Sequence, residues 1–213
     1  MSVNAEERIT GMVESSQQIT VYMSLCTQER LQVIVKYANL CREIPGEFWE
    51  MGVYMGGSAG LIGKLAPDKI LRLFDSFEGV SDPGEKDMPA VKIPLEGPMW
   101  KGEWPGDMKR ALINIGRDCI VHKGWIPETF KEVPTDAKCA FAHVDTDLYQ
   151  PIKDSLEFIL PRLSSGGFIV VDDFDVPRNP GVRAAIEDVL PSWPTLKGCV
   201  HAPGQVVLRL HEE

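Results

Sequence analysis

Phe48-Trp-Glu-Met-Gly-Val-Tyr-Met-Gly-Gly-Ser58 is a short apolar run that breaks into glycines just before a helical pattern begins. Phe48 to Val53 is predicted as a strand and Gly57 to Leu65 as a short helix, which makes the segment a strand–turn–helix unit. Glycines in such a turn let a ligand approach the backbone, and the helix N-terminus offers free amide donors. The pattern is not the G-x-G-x-x-G of dinucleotide binders. It is not a phosphate loop either, because the Lys-Ser/Thr ending is missing. Glu50, near the strand end, offers a carboxylate to the amino group of an amino-acid-like ligand. A tight turn without a ligand is the plainer alternative.

Upstream, Leu31, Ile34, Val35 and Ala38 recur at helical spacing and predict an amphipathic helix over Thr27 to Glu43, stopped by Pro45-Gly46. Downstream, Ile70 to Phe74 is the second strand. Asp75 at its tip, with Ser76 beside it, stands where α/β nucleotide folds bind a ribose diol. Ser76 to Glu103 is irregular and rich in Pro, Gly and charge. It is a lid or a disordered insert, and Phe77, Met99 and Trp100, with Trp104 beyond, favour the lid. Cys119 to His122 and Cys139 to Val144 follow as strands. Pro151 opens a helix that runs to about Leu163 and ends near Gly166-Gly167. Phe168 to Val171 has the all-apolar character of a central strand. A helix around Val182 to Val189 precedes a hairpin, Cys199-Val200 and Val206 to Leu210, turning at Pro203-Gly204. This alternation predicts an α/β fold with a mainly parallel sheet and helices on both faces. Residues 1–213 are expected to form one domain, with 1–44 as an N-terminal helical segment and 76–103 as the insert.

His143-Val-Asp-Thr-Asp-Leu-Tyr149 follows one strand and Val170-Val-Asp-Asp-Phe174 the next. Right-handed crossovers bring both loops to the same edge of a parallel sheet. Asp145, Asp172 and Asp173 would therefore converge. Crowded carboxylates repel unless one takes a proton or a cation sits among them. A hard divalent ion such as Mg²⁺ suits oxygen ligands and leaves positions open for a substrate oxygen. Helix capping or surface solvation are the alternatives, and capping of the helix near Tyr149 is the expected role of Asp147.

The chain has 213 residues and a formal charge of −9, which argues against a nucleic-acid groove or an anionic membrane as partner. No apolar run approaches the roughly 18 residues of a membrane span. The polar start, Met1-Ser-Val-Asn-Ala-Glu-Glu-Arg, lacks a signal core, so a cytoplasmic protein is expected. The five cysteines, at 26, 41, 119, 139 and 199, include no C-x-x-C pair. They indicate neither a disulfide framework nor a zinc site, and a structural role is expected for all five.

Five stretches together resemble the macrocin O-methyltransferase family, metal-dependent class I methyltransferases that modify sugar hydroxyls of antibiotics. They are Gly46-Glu-Phe-Trp-Glu-Met-Gly-Val-Tyr-Met-Gly-Gly57, Phe74-Asp-Ser-Phe-Glu-Gly79, Lys123-Gly-Trp-Ile-Pro-Glu-Thr-Phe130, Asp145-Thr-Asp-Leu-Tyr149 and Pro161-Arg-Leu-Ser-Ser-Gly-Gly-Phe-Ile-Val-Val-Asp-Asp173. The step from Asp145 to Asp172 also resembles the metal-ligand layout of catechol O-methyltransferases. The resemblance implies a Rossmann-like seven-stranded sheet ordered 3-2-1-4-5-7-6, with the last strand antiparallel. It implies S-adenosylmethionine bound by Glu50, Gly52 and Gly56, with Tyr54 and Ser58 in the same loop. Asp75 and Ser76 would hold its ribose, and Gly124 and Trp125 would border its adenine. It implies Mg²⁺ or another divalent cation on Asp145, Asp172 and Asp173, a small-molecule hydroxyl acceptor and a homo-oligomer. The insert and the helix start Tyr149-Gln-Pro151 depart from the family pattern.

Asp145 is the expected ligand and general base, with His143 the second choice of base; His143 and His122 are otherwise strand or supporting residues. Trp100, Trp104 and Tyr149 are candidates for stacking on an acceptor ring. The rival functions are a catechol or phenol methyltransferase, a nicotinamide-dependent oxidoreductase, and a non-catalytic protein that kept the fold. The missing G-x-G-x-x-G and the aspartate trio count against the last two.

Overall fold

Hydrophobic alternation along the strands sorts the interior into two layers. The structure, a computed structural model, describes residues 24–89, 99–201 and 204–210. The start of the N-terminal segment, part of the 76–103 insert and Pro203 therefore lie outside the described residues. In chain order the elements are α1 (Gln28–Leu40), β1 (Glu47–Met51), α2 (Gly57–Leu65), β2 (Leu71–Asp75), α3 (Met108–Ile115), β3 (Ile120–Lys123) and β4 (Cys139–Val144). They continue with α4 (Tyr149–Ile159), β5 (Leu163–Asp172), α5 (Pro180–Val189), β6 (Leu196–His201) and β7 (Gln205–Leu210). The sheet order is β3-β2-β1-β4-β5-β7-β6. The first five strands of that order run parallel, and β7 is antiparallel to both of its neighbours.

Successive strand side chains point to opposite faces. Phe48, Leu71, Leu73, Phe141 and Val170 pack with Leu31, Ile34 and Val35 of α1 and Leu61 and Ile62 of α2. Trp49, Met51, Phe74, Ala142, Val144, Ile169 and Val171 face the other way, onto Ile152 and Leu156 of α4 and Val182 and Ile186 of α5. Each large side chain buried in these layers stabilises the fold by roughly 1.5–3 kcal/mol.

The register sets up the functional edge. Phe74, Met51, Val144 and Val171 stand side by side across β2, β1, β4 and β5. The next residues, Asp75, Gly52, Asp145 and Asp172, therefore lie in one row at the C-terminal edge of these strands. Parity also matters: Glu50 and His143, partners across β1 and β4, share the face of Phe48 and Phe141, which α1 covers.

Three local expectations are corrected. First, α1 ends at Leu40, three residues short of Glu43, because the Cys41 amide closes back onto Tyr37, Ala38 and Asn39 and a turn follows. Second, Gly166 and Gly167 do not stop a helix; they lie inside β5. A Cβ on Gly167 would stand 2.7 Å from the Ala140 carbonyl oxygen, so glycine lets β5 close onto β4 at its irregular register. Third, Asp147 does not cap α4. It adopts a left-handed backbone, and its Oδ1 accepts from the Asn179 side chain at 3.0 Å.

The cap comes from the insert instead. Asp87 is buried, and its Oδ1 accepts the Tyr149 amide at 2.7 Å while Oδ2 accepts the Gly84 amide at 2.8 Å. Gly181 makes room for it, since a Cβ there would meet Oδ1 at 1.9 Å. Asp87→Ala is therefore expected to cost about 1–2 kcal/mol, read as a lower urea midpoint at unchanged slope.

Candidate active site

Turns after the parallel strands wall a cavity of about 300 Å³, the lower end of the roughly 300–1,000 Å³ usual for small-molecule sites. One side is built from Gly52, Val53, Tyr54, Ser58, Asp75, Ser76 and Gly124 to Ile126. The other side carries Cys26, Arg30, Asp145, Asp147 and Asp173, and Val80, Met99 and Trp104 of the insert region also reach the wall. Tyr54, Trp104, Asp147 and Asp173 all line this cavity with positive φ, and such backbone strain concentrates at functional loops.

Asp75 organises the glycine turn. Its Oδ2 accepts the amides of Val53 at 2.6 Å and Tyr54 at 2.8 Å, and Oδ1 accepts that of Phe77 at 2.6 Å. The Asp75 carbonyl accepts the Gly124 amide at 3.0 Å, which ties the Gly124–Trp125 turn to the same strand end. Gly52 joins the two halves of the site. Its φ is +84°, and a Cβ there would lie 1.9 Å from the Asp145 carbonyl oxygen. Gly52→Ala would thus add backbone strain to a clash with backbone, and a loss of about 3 kcal/mol is expected. Chemical denaturation measures it, and a change under 1 kcal/mol would refute the argument.

Two residues expected on the donor side stand elsewhere. Glu50 is fully buried off the cavity wall, with Oε1 2.7 Å from His143 Nδ1. Gly56 is also off the wall; its φ of +78° and a would-be Cβ 2.8 Å from the Ala111 carbonyl oxygen tie it to the approach of α3.

The acids do converge. Asp145, Asp147 and Asp173 can each bring an oxygen within 4.8 Å of the others, and Asp145 lies equally close to Asp172. Arg30 of α1 stands among them, with Nη1 2.7 Å from Asp172 Oδ1 and 2.8 Å from Asp173 Oδ1. Burial and then the charge of Asp172 push the Asp145 and Asp173 carboxyls up. Burial and then Asp173 do the same to Asp147. Burial also opposes ionisation of Asp172, but His143 and Arg30 outweigh it and hold this carboxyl below its ordinary value.

His143 is fully buried between Glu50 and Asp172, with Nε2 3.7 Å from Asp172 Oδ2, too long for a hydrogen bond. Burial opposes its charging, yet the flanking carboxylates of Asp172 and Glu50 raise its pKa to about 10. It does not line the cavity, and its charge lies against Asp172. His122 lies away from the site, stacked 4.8 Å from Phe74, with Nδ1 2.7 Å from Glu132.

The ring candidates separate as well. Trp104 lines the cavity, whereas Trp100 is exposed and off the wall. The Tyr149 hydroxyl is bound to Asp188 at 2.7 Å. Cys26 departs from the expected structural role: it lines the cavity, with Sγ 3.3 Å from Asp172 Oδ2.

The family model described as Macrocin-O-methyltransferase (TylF) matches residues 115–190, which hold both acidic loops. Over those residues the chain is similar to the macrocin O-methyltransferase family. It is 30% identical over 156 residues to the 8-demethyl-8-(2,3-dimethoxy-alpha-L-rhamnosyl)-tetracenomycin-C 4'-O-methyltransferase of Streptomyces olivaceus, covering 68% of this chain and 58% of that protein. The mycinamicin III 3''-O-methyltransferase of Micromonospora griseorubida is 27% identical over 146 residues, covering 63% and 57%. The chain thus spans a little over half the length of these curated relatives. The solved O-methyltransferase NovP shares the fold at a TM-score of 0.74 and 21% identity, over 89% of this chain and 83% of that one. The calicheamicin methyltransferase CalS11 does so at 0.68 and 21%, over 98% and 94%.

The groups that this similarity implies can be set against the chain's own residues. Asp145 and Asp173 line the open cavity together with Asp147, while Asp172 stands buried beside Asp145 and off the wall; these hard oxygen donors fit a divalent cation of the Mg²⁺ kind. Arg30, drawn onto two of these carboxylates, marks where the cluster needs positive charge. For a nucleoside donor, the wall offers a glycine turn, an acidic residue at the second strand end and the Trp125 ring. Arg30, Cys26 and Asp87 are the contributions that sequence reasoning missed. Only Arg30, a cation on a predicted amphipathic helix, left any trace in the pattern.

Proposed function

We propose that this chain is an S-adenosylmethionine-dependent, Mg²⁺-dependent O-methyltransferase acting on a hydroxyl of a sugar or glycosylated natural product. The observation that carries this reading is one cavity walled on one side by the Gly52–Ser58 turn, Asp75 and Trp125, and on the other by Asp145 and Asp173. A methyl donor and a cation site placed that way leave the space between them for the acceptor. The sugar acceptor is supported by the relatives, one of which is named for a rhamnosyl-tetracenomycin substrate.

Asp75 keeps lone pairs beyond its three backbone partners, and these would accept the ribose hydroxyls. Gly124 and Trp125 would border the adenine, and Gly52 and Ser58 the methionine part. Methyl transfer needs an in-line nucleophile about 3 Å away, so positioning supplies much of the rate. A bound divalent cation supplies positive charge that acidifies a neighbouring hydroxyl and stabilises developing negative charge. Asp145, on the cavity wall beside the acceptor space, would take the acceptor proton. His143 would supply positive charge behind Asp172, and Val80, Met99 and Trp104 limit water in the cavity. Residues 76–103 would act as a lid on a single methyltransferase domain.

Calorimetric titration with S-adenosylhomocysteine, with and without Mg²⁺, tests the reading. Micromolar binding is expected at one site per chain. No binding under either condition sinks the methyltransferase assignment for this chain.

A further inference from the structure

We propose that Cys26, His143, Asp145 and Asp172 form a binding site for a thiophilic divalent cation, with Zn²⁺ the ion that fits the donors best. These four side chains can each bring one donor atom within 4.8 Å of the others. Cys26 Sγ lies 3.3 Å from Asp172 Oδ2 and 3.9 Å from Asp145 Oδ2, and His143 Nε2 lies 3.7 Å from Asp172 Oδ2. Ligands bound at the usual Zn–N, Zn–O and Zn–S lengths to a tetrahedral centre stand roughly 3.3–3.8 Å apart. Two of the three separations fall within that range and the third, 3.9 Å, lies just above it, so a small closure onto the ion completes the set.

The histidine supplies an independent observation. Its side chain is 1% exposed, and its Nε2 has no hydrogen-bond partner among the described residues. That atom points at Asp172, while Nδ1 is held at 2.7 Å by Glu50 Oε1. A carboxylate behind the far nitrogen is the usual way a metal-binding imidazole is oriented and kept basic. Glu50 lies off the cavity wall, and this arrangement gives it a role there.

Asp172 separates this site from the one expected for Mg²⁺. Its Oδ1 accepts from Arg30 at 2.7 Å and from the Asp173 amide at 3.0 Å, on the side of the hard oxygen donors. Its Oδ2 faces Cys26, and the Gln205 side-chain amide donates to it at 3.2 Å. A thiol beside an imidazole selects zinc-like ions over Mg²⁺, which takes oxygen ligands. On binding, the thiol proton and any proton on Nε2 leave to solvent, and the sulfur–metal and nitrogen–metal bonds replace them. Because Asp145 and Asp172 serve both ions, Zn²⁺ and Mg²⁺ compete, and the bound thiolate draws the residues before α1 onto the acidic cluster.

The inference concerns the acidic cluster of the proposed function, but its test reads metal coordination and not cofactor binding, so the two fail separately. The reduced full chain is titrated with Co²⁺ as a spectroscopic probe. A thiolate-to-cobalt charge-transfer band is expected, absent in both Cys26→Ser and Cys26→Ala and retained in Cys199→Ser. Affinity for Zn²⁺, measured by chelator competition, is expected to fall at least about tenfold in the Cys26 variants, whose folding circular dichroism checks. Excess Mg²⁺ is expected to weaken Co²⁺ binding. Absence of the band in the unsubstituted chain overturns the proposal. So does a band that survives loss of Cys26, or one that disappears with Cys199.

Discussion

Asp145→Ala is expected to lower Mg²⁺-supported methyl transfer by on the order of 10³-fold while S-adenosylhomocysteine affinity changes by less than about threefold. The size follows from two losses in one side chain. Removing a cation ligand forfeits several kcal/mol of charge stabilisation, and each 1.4 kcal/mol is about tenfold in rate. Removing the proton acceptor takes a further factor. Cofactor affinity is spared because the glycine turn meets Asp145 through its backbone: the Asp145 amide donates to the Met51 carbonyl at 2.8 Å, and Gly52 abuts its carbonyl oxygen. Alanine keeps both contacts. Asp172→Ala is a poorer probe of the same chemistry, since it strands Arg30 and Gln205 beside a buried hole and would lower stability as well. Steady-state kinetics with a sugar acceptor, paired with calorimetry, makes the measurement. Equal losses of turnover and cofactor affinity would overturn the division of labour between the two walls.

Asp75→Ala is expected to weaken S-adenosylhomocysteine binding by about 100-fold or more. The carboxylate would face the ribose and also holds the amides of Val53, Tyr54 and Phe77. Its loss removes a ligand contact and loosens the turn that shapes the pocket. A charge-assisted hydrogen bond to a ligand is worth roughly 1.5–3 kcal/mol, and the disordered turn adds to that. Asp75→Asn separates the parts, because the amide oxygen still accepts backbone donors while the charge is gone. It should fall between the unsubstituted chain and Asp75→Ala. Unchanged affinity in Asp75→Ala would show that the ribose is held elsewhere.

The strand ends were legible because they depend on short-range patterns. The run Cys139 to Val144 is apolar and bounded by turns, and the structure reproduces it residue for residue. The glycine pair at 166 and 167 misled because a glycine that ends a helix and one that admits a neighbouring strand look the same in one dimension. Asp147 misled in a similar way. Its position two residues before a helix suits a cap, but a buried aspartate sixty residues away had already taken the amide.

Local periodicity and the handedness of parallel crossovers were enough to predict a mainly parallel sheet with Asp145 and Asp172 at one edge, since each depends on a strand ending where its apolar run ends; the order of the strands followed only from the family resemblance. What the tertiary structure alone decided is what surrounds those residues. Arg30 neutralises two aspartates 142 and 143 positions along the chain, Cys26 reaches the acids from before α1, and His143 turns to Glu50 and away from the cavity. These contacts depend on the face each strand residue takes and on where a helix lies across the sheet. Many weak packing interactions summed over the whole core settle both, and none of them leaves a pattern in the neighbouring sequence.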